Sequence, residues 1–277
     1  MGDKKNMNII LPGLYDLFQI NNEIIDTQLK SPEVFLDNIK ISGVWGSFPY
    51  SIWSAEVSDF SKTPYEDIEY IVKEYNSKGI SLFYSFYNPL IKKEHLDDTF
   101  CNLCLDIGNN SLNCVIVSSF DLANHIRERY KKLSIALKAD KNTKFNDASL
   151  ANYKFIMLDN LAGYFKDYKK QLINKDKIVL SLNRSCTGSC RKADVCFKQI
   201  SKKKLSFETI KSDFCKKYSC EDNISPDLTT ESGYEQEVSN FVISDFGYNK
   251  KQISELYLNY FIKETYKENL RERLYSL

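Results

Sequence analysis

Histidine is nearly absent from this chain: His95 and His125 are the only two among 277 residues. A hydrolase needs a nucleophile with a base, or a metal that activates water, so imidazole-based routes have few candidates. His125 falls on the apolar face of a helical pattern and reads as structural, while His95 sits in a loop-like Lys-Glu-His-Leu context and reads as a surface residue. Neither G-x-S-x-G nor H-E-x-x-H occurs, which leaves hydrolysis by those routes unsupported. Neither G-x-G-x-x-G nor G-x-x-x-x-G-K-[ST] follows any strand-like run, so the main sequence support for a nucleotide-binding open sheet is missing too. Charge bias is also lacking, with 38 Lys and Arg against 37 Asp and Glu, so nothing overall marks a nucleic-acid binder. Local basic runs remain, at Lys169, Lys170, Lys175 and Lys177 and at Lys202 to Lys204, and such runs ordinarily form solvated surface. No run approaches the roughly 18 to 20 apolar residues of a membrane span. The start, Met-Gly-Asp-Lys-Lys-Asn, is polar with no apolar core of signal-peptide length, so the expectation is a cytoplasmic protein without membrane association.

What the chain does have is cysteine. Five of its eight fall within one window, Cys186, Cys190, Cys196, Cys215 and Cys220. The window opens where an apolar run, Ile178 to Leu182, ends at Asn183, so the cysteines begin where a buried strand gives way to a loop. Thiolates are soft ligands suited to zinc, copper or iron–sulfur clusters, and about four must converge around the metal. Cys186, Cys190 and Cys196 supply three, and Cys215 or Cys220 closes the set; spacing does not decide which four meet. Paired C-x-x-C knuckles of a zinc ribbon are missing, since Cys101 and Cys104 form the only such pair and lie far upstream, which favours an iron–sulfur cluster over zinc. Free thiols are the plainer alternative, and a reducing compartment disfavours disulfides. Cys101, Cys104 and Cys114 read as packing residues, because free cysteine behaves as a small apolar side chain.

The remaining pattern is repeated strand and helix. Strand-like runs recur at Ile41 to Trp45, Ile80 to Phe86, Cys114 to Val117, Leu133 to Leu137, Phe155 to Leu158, Ile178 to Leu182 and Phe241 to Asp245. Between the early ones, Tyr65 to Lys78 places Ile68, Ile71, Val72 and Tyr75 on one helical face, with Thr63 and Pro64 at its start and Gly79 at its end. Asp121 is placed to cap a second helix, and Ile253, Leu256, Tyr257, Tyr260 and Phe261 mark another. Buried, non-alternating strands alternating with helices imply a parallel sheet, and seven or eight strands in this length fit an α/β, TIM-barrel-like (β/α) barrel over residues 1–277, with 184–227 as an inserted cysteine-rich loop. In such a barrel the strand C-termini gather at one mouth. Tyr50, Asn88 and Lys138 follow strand-like runs there and are the candidates for polar catalytic contacts, with Asn183 at the entrance of the cofactor loop. For each taken singly, ordinary turn chemistry is the competing explanation.

Three stretches carry a family resemblance: Ile41-Ser-Gly-Val-Trp-Gly-Ser-Phe-Pro-Tyr-Ser-Ile-Trp53, then Tyr87-Asn-Pro-Leu-Ile91 with His95-Leu-Asp-Asp-Thr-Phe-Cys-Asn102, then Asn183-x-x-Cys186-x-x-x-Cys190. In that order they resemble a bacterial branch related to the collagenase-like U-thirty-two peptidase family, over most of the chain. The resemblance implies a TIM-barrel-like core, a 4Fe-4S cluster held by four cysteines, and redox modification, such as hydroxylation, of an RNA base or a small aromatic metabolite with an electron-donor protein as partner. One departure stands out. Related sequences place a histidine near Cys196, ahead of an aromatic such as Phe197, so here either a fourth thiolate has been gained or the cluster differs. Radical S-adenosylmethionine chemistry is disfavoured because its C-x-x-x-C-x-x-C follows an early strand. A peptidase-like hydrolase and a non-enzymatic scaffold, with zinc or a cluster pinning the loop to the mouth, are the other readings.

Overall fold

The computed structural model describes residues 6–56, 61, 63–139, 150–158, 175–183, 193–208, 238–245 and 248–277. Eight strands form a closed parallel barrel in chain order: β1 (Met7–Leu11), β2 (Ile39–Gly46), β3 (Ser81–Phe86), β4 (Cys114–Val117), β5 (Ser134–Ala139), β6 (Phe155–Leu158), β7 (Ile178–Ser181) and β8 (Asn240–Val242). Pairing of β8 with β1, at Asn240 with Asn8 and Val242 with Ile10, completes the circle and leaves no free edge. Seven strands coincide with the apolar runs of the sequence. The eighth, β1, is the short Met-Asn-Ile-Ile-Leu segment that the run-by-run reading passes over.

Alternation along each strand sorts the core into two shells. Ile10, Phe83, Cys114, Ile116, Ala136, Met157, Val179 and Val242 pack together inside the barrel. Their neighbours Ile9, Leu82, Val115, Ile135, Ile156, Ile178 and Phe241 belong to the larger cluster between barrel and helices. Both faces of most strands are therefore buried, which is why those strands read as unbroken apolar runs.

Among the described residues seven α-helices accompany the barrel: α1 (Phe18–Lys30), α2 (Tyr65–Ser77), α3 (Thr99–Ile107), α4 (Phe120–Arg129), α5 (Ala193–Leu205), α6 (Lys250–Phe261) and α7 (Lys267–Tyr275). The face of α2 is the expected one, with Ile68, Ile71, Val72 and Tyr75 buried. Gly79 follows its end at φ +74° with open space where a Cβ would stand, so backbone conformation rather than room calls for glycine. Pro64, not Thr63, occupies the N-cap of α2. In α4 the cap is Ser119, whose hydroxyl accepts from Leu122 N, and Asp121 lies in the first turn, where its charge complements the helix dipole. Asp98 caps α3 by accepting from Cys101 N at 2.7 Å. Asp98→Ala is expected to cost about 1 kcal/mol in chemical denaturation, the usual worth of such a cap. Buried polar side chains tie helices to the barrel: Tyr257 Oη donates to Asn21 Oδ1 at 2.7 Å, and Asn21 Nδ2 donates to Pro12 O at 2.7 Å, joining α6, α1 and the end of β1. No described helix is long and apolar enough to cross a membrane.

The region read as one cysteine-rich loop, 184–227, contains α5. Of its five cysteines, Cys196 lies on α5, whereas Cys186, Cys190, Cys215 and Cys220 lie outside the described residues.

Candidate functional site at the barrel mouth

Toward the strand C-termini the inward row changes character. Ser85 follows Phe83 by two positions, Lys138 follows Ala136, Ser181 follows Val179 and Ser244 follows Val242, so an apolar interior opens into a polar rim. Active sites of (β/α) barrels are built at this end, from the loops that follow the strands.

Helix α5 lies against the rim. Phe197 stacks on Tyr87, just beyond β3, with centroids 5.8 Å apart and planes 14° from parallel. Lys138 Nζ stands 4.8 Å from the centroid of the same Tyr87 ring, a cation–π contact. Cys196, beside Phe197, is 6% exposed. The carbonyl of Ser201 receives Asn88 Nδ2 at 3.1 Å, and Lys204 Nζ donates to Pro49 O at 3.3 Å. Lys204 is wholly buried, which overturns the reading of Lys202 to Lys204 as a solvated run; only Lys202 among the three is exposed. The run is helical, so Lys204 turns inward, Lys203 is half-buried and Lys202 faces out.

The sequence-derived candidates fall around this helix in different roles. Lys138 stands at the mouth on Tyr87. Asn88 is buried with its amide engaged on every side: Nδ2 also donates to Ile52 O at 3.0 Å, and Oδ1 accepts from Leu90 N at 3.0 Å. Tyr50 packs edge-on against Phe100 at 5.4 Å and tilted against Phe207 at 5.5 Å, beyond the end of α5. Asn183 is buried at the end of β7, where Nδ2 donates to Ser244 O at 2.6 Å and Oδ1 accepts from Ser244 N at 2.7 Å. Asn88 and Asn183 thus hold backbone segments, and Lys138 alone of the four is aimed along the inward row.

The sequence reading missed two carboxylates. Glu56, in the loop after β2, accepts from Ser47 Oγ at 3.0 Å, and its own N–H donates to Ser54 Oγ at 3.0 Å. Burial pushes its carboxyl up to about 7, and the negative charge of Asp245 adds to the rise; Ser85, Ser47 and Lys204 favour the charged form and limit it. Asp245, just past β8, is pushed up to about 6, first by burial and then by Asp16, against a backbone hydrogen bond that lowers it. Asp245 ionises at the lower pH, so its charge is already present when Glu56 loses its proton, and the coupling appears chiefly on Glu56. A signal existed in part, since Ser47 lies inside the stretch carrying the family resemblance and Glu56 follows Trp53, its last residue, by three positions.

Among the described residues no group of three His, Cys, Asp or Glu could hold a metal ion. Cys101, Cys104 and Cys114 are buried thiols, and Cys101 Sγ lies 3.2 Å from Ser51 Oγ. Burial raises all three, Cys114 to about 12, so they stay protonated and pack. His125 is likewise structural: its Nε2 lies 3.0 Å from Asn102 Oδ1 and its ring packs edge-on against Trp53. His95 closes a single turn in which its Nδ1 accepts from Lys92 N at 3.0 Å.

No family model and no curated protein matches the chain. Among solved structures, the U32 peptidase Mk0906 superposes with a TM-score of 0.54 at 10% identity, over 88% of this chain and 94% of that one. The fold expected from the family resemblance is therefore found: this chain shares the barrel of that peptidase. Two structures of a GH113 β-1,4-mannanase show weaker likeness, with TM-scores of 0.39 and 0.36 at 7% and 9% identity, each covering 100% of both chains.

Proposed function

We propose that this protein is a cytoplasmic barrel enzyme that holds a 4Fe-4S cluster on its cysteine-rich segment. It would carry out redox modification, such as hydroxylation, of an RNA base or a small aromatic metabolite, with electrons from a donor protein. The observation that carries this reading is the seating of α5: the helix entered directly from Cys186 and Cys190 lies on the mouth, with Cys196 buried and Phe197 stacked on Tyr87. A group held on Cys196 would stand beside the polar rim of the barrel. The donor chemistry fits a thiolate-held group, with Cys196 as one ligand and Cys186, Cys190, Cys215 and Cys220 as the source of the others. When bound, such a cluster supplies electron transfer. The residues of this chain supply the remainder: Tyr87 and Phe197 offer aromatic surface to a planar ring, and Lys138 places a positive charge over that surface.

Anaerobic purification followed by iron, sulfide and zinc analysis and an absorption spectrum tests this directly. About four irons and four sulfides per chain are expected, falling to background in Cys186→Ala. One zinc would instead favour a structural site, and the absence of any metal would sink the proposal.

A further inference from the structure

Ser85 is wholly buried, yet its hydroxyl has no hydrogen-bond partner among the described residues. It stands in the inward row of β3 between Phe83 and Tyr87, near enough to the Glu56 carboxyl to favour its charged form. A buried hydroxyl left unpaired is costly, and such groups are ordinarily satisfied by protein, water or a ligand. The carboxyl it faces is already oriented by Ser47. Charges approach from several sides: Asp245 after β8 favours the neutral acid, Asp16 acts on Asp245, and Lys204 on α5 favours the carboxylate. Lys138 on β5 sits farther round the rim, over Tyr87. Trp45, Tyr87 and Phe197 pack around the same interior and provide flat apolar walls.

We propose that Glu56, Ser47 and Ser85 form a proton-exchange site for a planar ring bearing an ionisable O–H or N–H. The Glu56 carboxylate takes the ring proton, so that a bond to hydrogen breaks at the ring heteroatom and one forms at a carboxyl oxygen. The electron pair stays on the ring heteroatom, and the Ser85 hydroxyl donates its hydrogen bond to the anion so formed. The reverse transfer returns the proton when the ring leaves or reacts, so no oxidant or reductant is consumed in the exchange itself. Burial at the mouth holds the carboxyl close to neutrality in proton affinity, which lets it act in either direction at physiological pH. The inference rests on the proposed function only for the place where a substrate lies; it does not require the cluster.

p-Nitrophenol is a suitable probe, because its visible band reports its own ionisation. Titrated into the full chain in buffer near pH 7, where roughly half of Glu56 is ionised and able to accept a proton, it should bind and gain phenolate absorbance. Glu56→Gln should remove that gain, and Glu56→Asp should restore part of it. Ser85→Ala should weaken binding about tenfold, the loss of one buried hydrogen bond. An unchanged phenolate band in Glu56→Gln, or no binding by the parent protein, would overturn the proposal. Circular dichroism of each variant separates loss of the site from loss of the fold. Metal content read on the same samples separates this proposal from the previous one: a metal-free chain that still ionises the dye sinks only the cluster, and a clustered chain that does not sinks only the proton-exchange site.

Discussion

Glu56→Gln should make the protein more stable at pH 8 by about 2 to 3 kcal/mol while leaving it nearly unchanged at pH 4. The ordinary carboxyl value of 4.5 applies to the unfolded chain, and burial and Asp245 lift the folded value to about 7. Between those values the folded protein binds more protons than the unfolded one, so stability falls as pH rises through this window. Below it both states carry the protonated acid and no penalty exists; above it the full cost of burying the charge is present. A difference of 2.5 units, from 7 less 4.5, corresponds to an upper bound of roughly 3 kcal/mol. The amide keeps the shape and the hydrogen bond from Ser47 Oγ but cannot ionise, so the variant escapes the cost. Asp245, raised to about 6 from 3.8, contributes the same sign over a lower window and persists in both proteins. Urea denaturation at a series of pH values measures the difference. A variant no more stable than the parent at pH 8 would mean that Glu56 is solvated and titrates as an ordinary surface acid.

The barrel was far more legible than its mouth. Buried strands such as Cys114–Val117 and Ile178–Ser181 need only be apolar on both faces, a local property visible in four consecutive residues. Short β1 escaped because one of its five residues is Asn8, whose amide donates to Asn240 Oδ1 inside the barrel's lower end, a polar contact across the whole length of the chain. Helix α1 escaped for a similar reason: its buried face mixes Ile20, Ile24 and Ile25 with Asn21 and Thr27, polar residues satisfied by Pro12 O, Tyr257 and Glu23 O. The perturbation of Glu56 depends on Ser47, Ser85, Lys204 and Asp245, contributed by four separate parts of the chain, and no local spacing encodes their meeting. Residues chosen for standing at strand ends, Asn88 and Asn183, do lie at the mouth; their direction could not be read, because an asparagine serves a turn or a ligand with the same atoms.

Asn183→Ala should therefore act on stability, lowering it by about 3 kcal/mol. The Asn183 amide makes a two-way clamp on the backbone of Ser244, donating to its carbonyl at 2.6 Å and accepting from its N–H at 2.7 Å, and all these atoms are buried. Truncation strands both backbone groups in a place that water reaches poorly, and each unpaired group costs roughly 1 to 3 kcal/mol. The clamp joins the ends of β7 and β8, reinforced by Leu182 N donating to Val242 O at 2.8 Å, at the point where the chain departs toward Cys186. Loosening it should also raise amide exchange at Ser244 and at neighbouring Asp245. Asn183→Asp is a sharper version, because it keeps the acceptor for Ser244 N but sets a carboxylate oxygen against Ser244 O; its deficit should shrink at low pH as the acid regains a proton and a donor. A stability loss in Asn183→Ala with metal content retained identifies a structural clamp. Unchanged stability with lost metal would return Asn183 to the cofactor-binding role that its place at the loop entrance suggests.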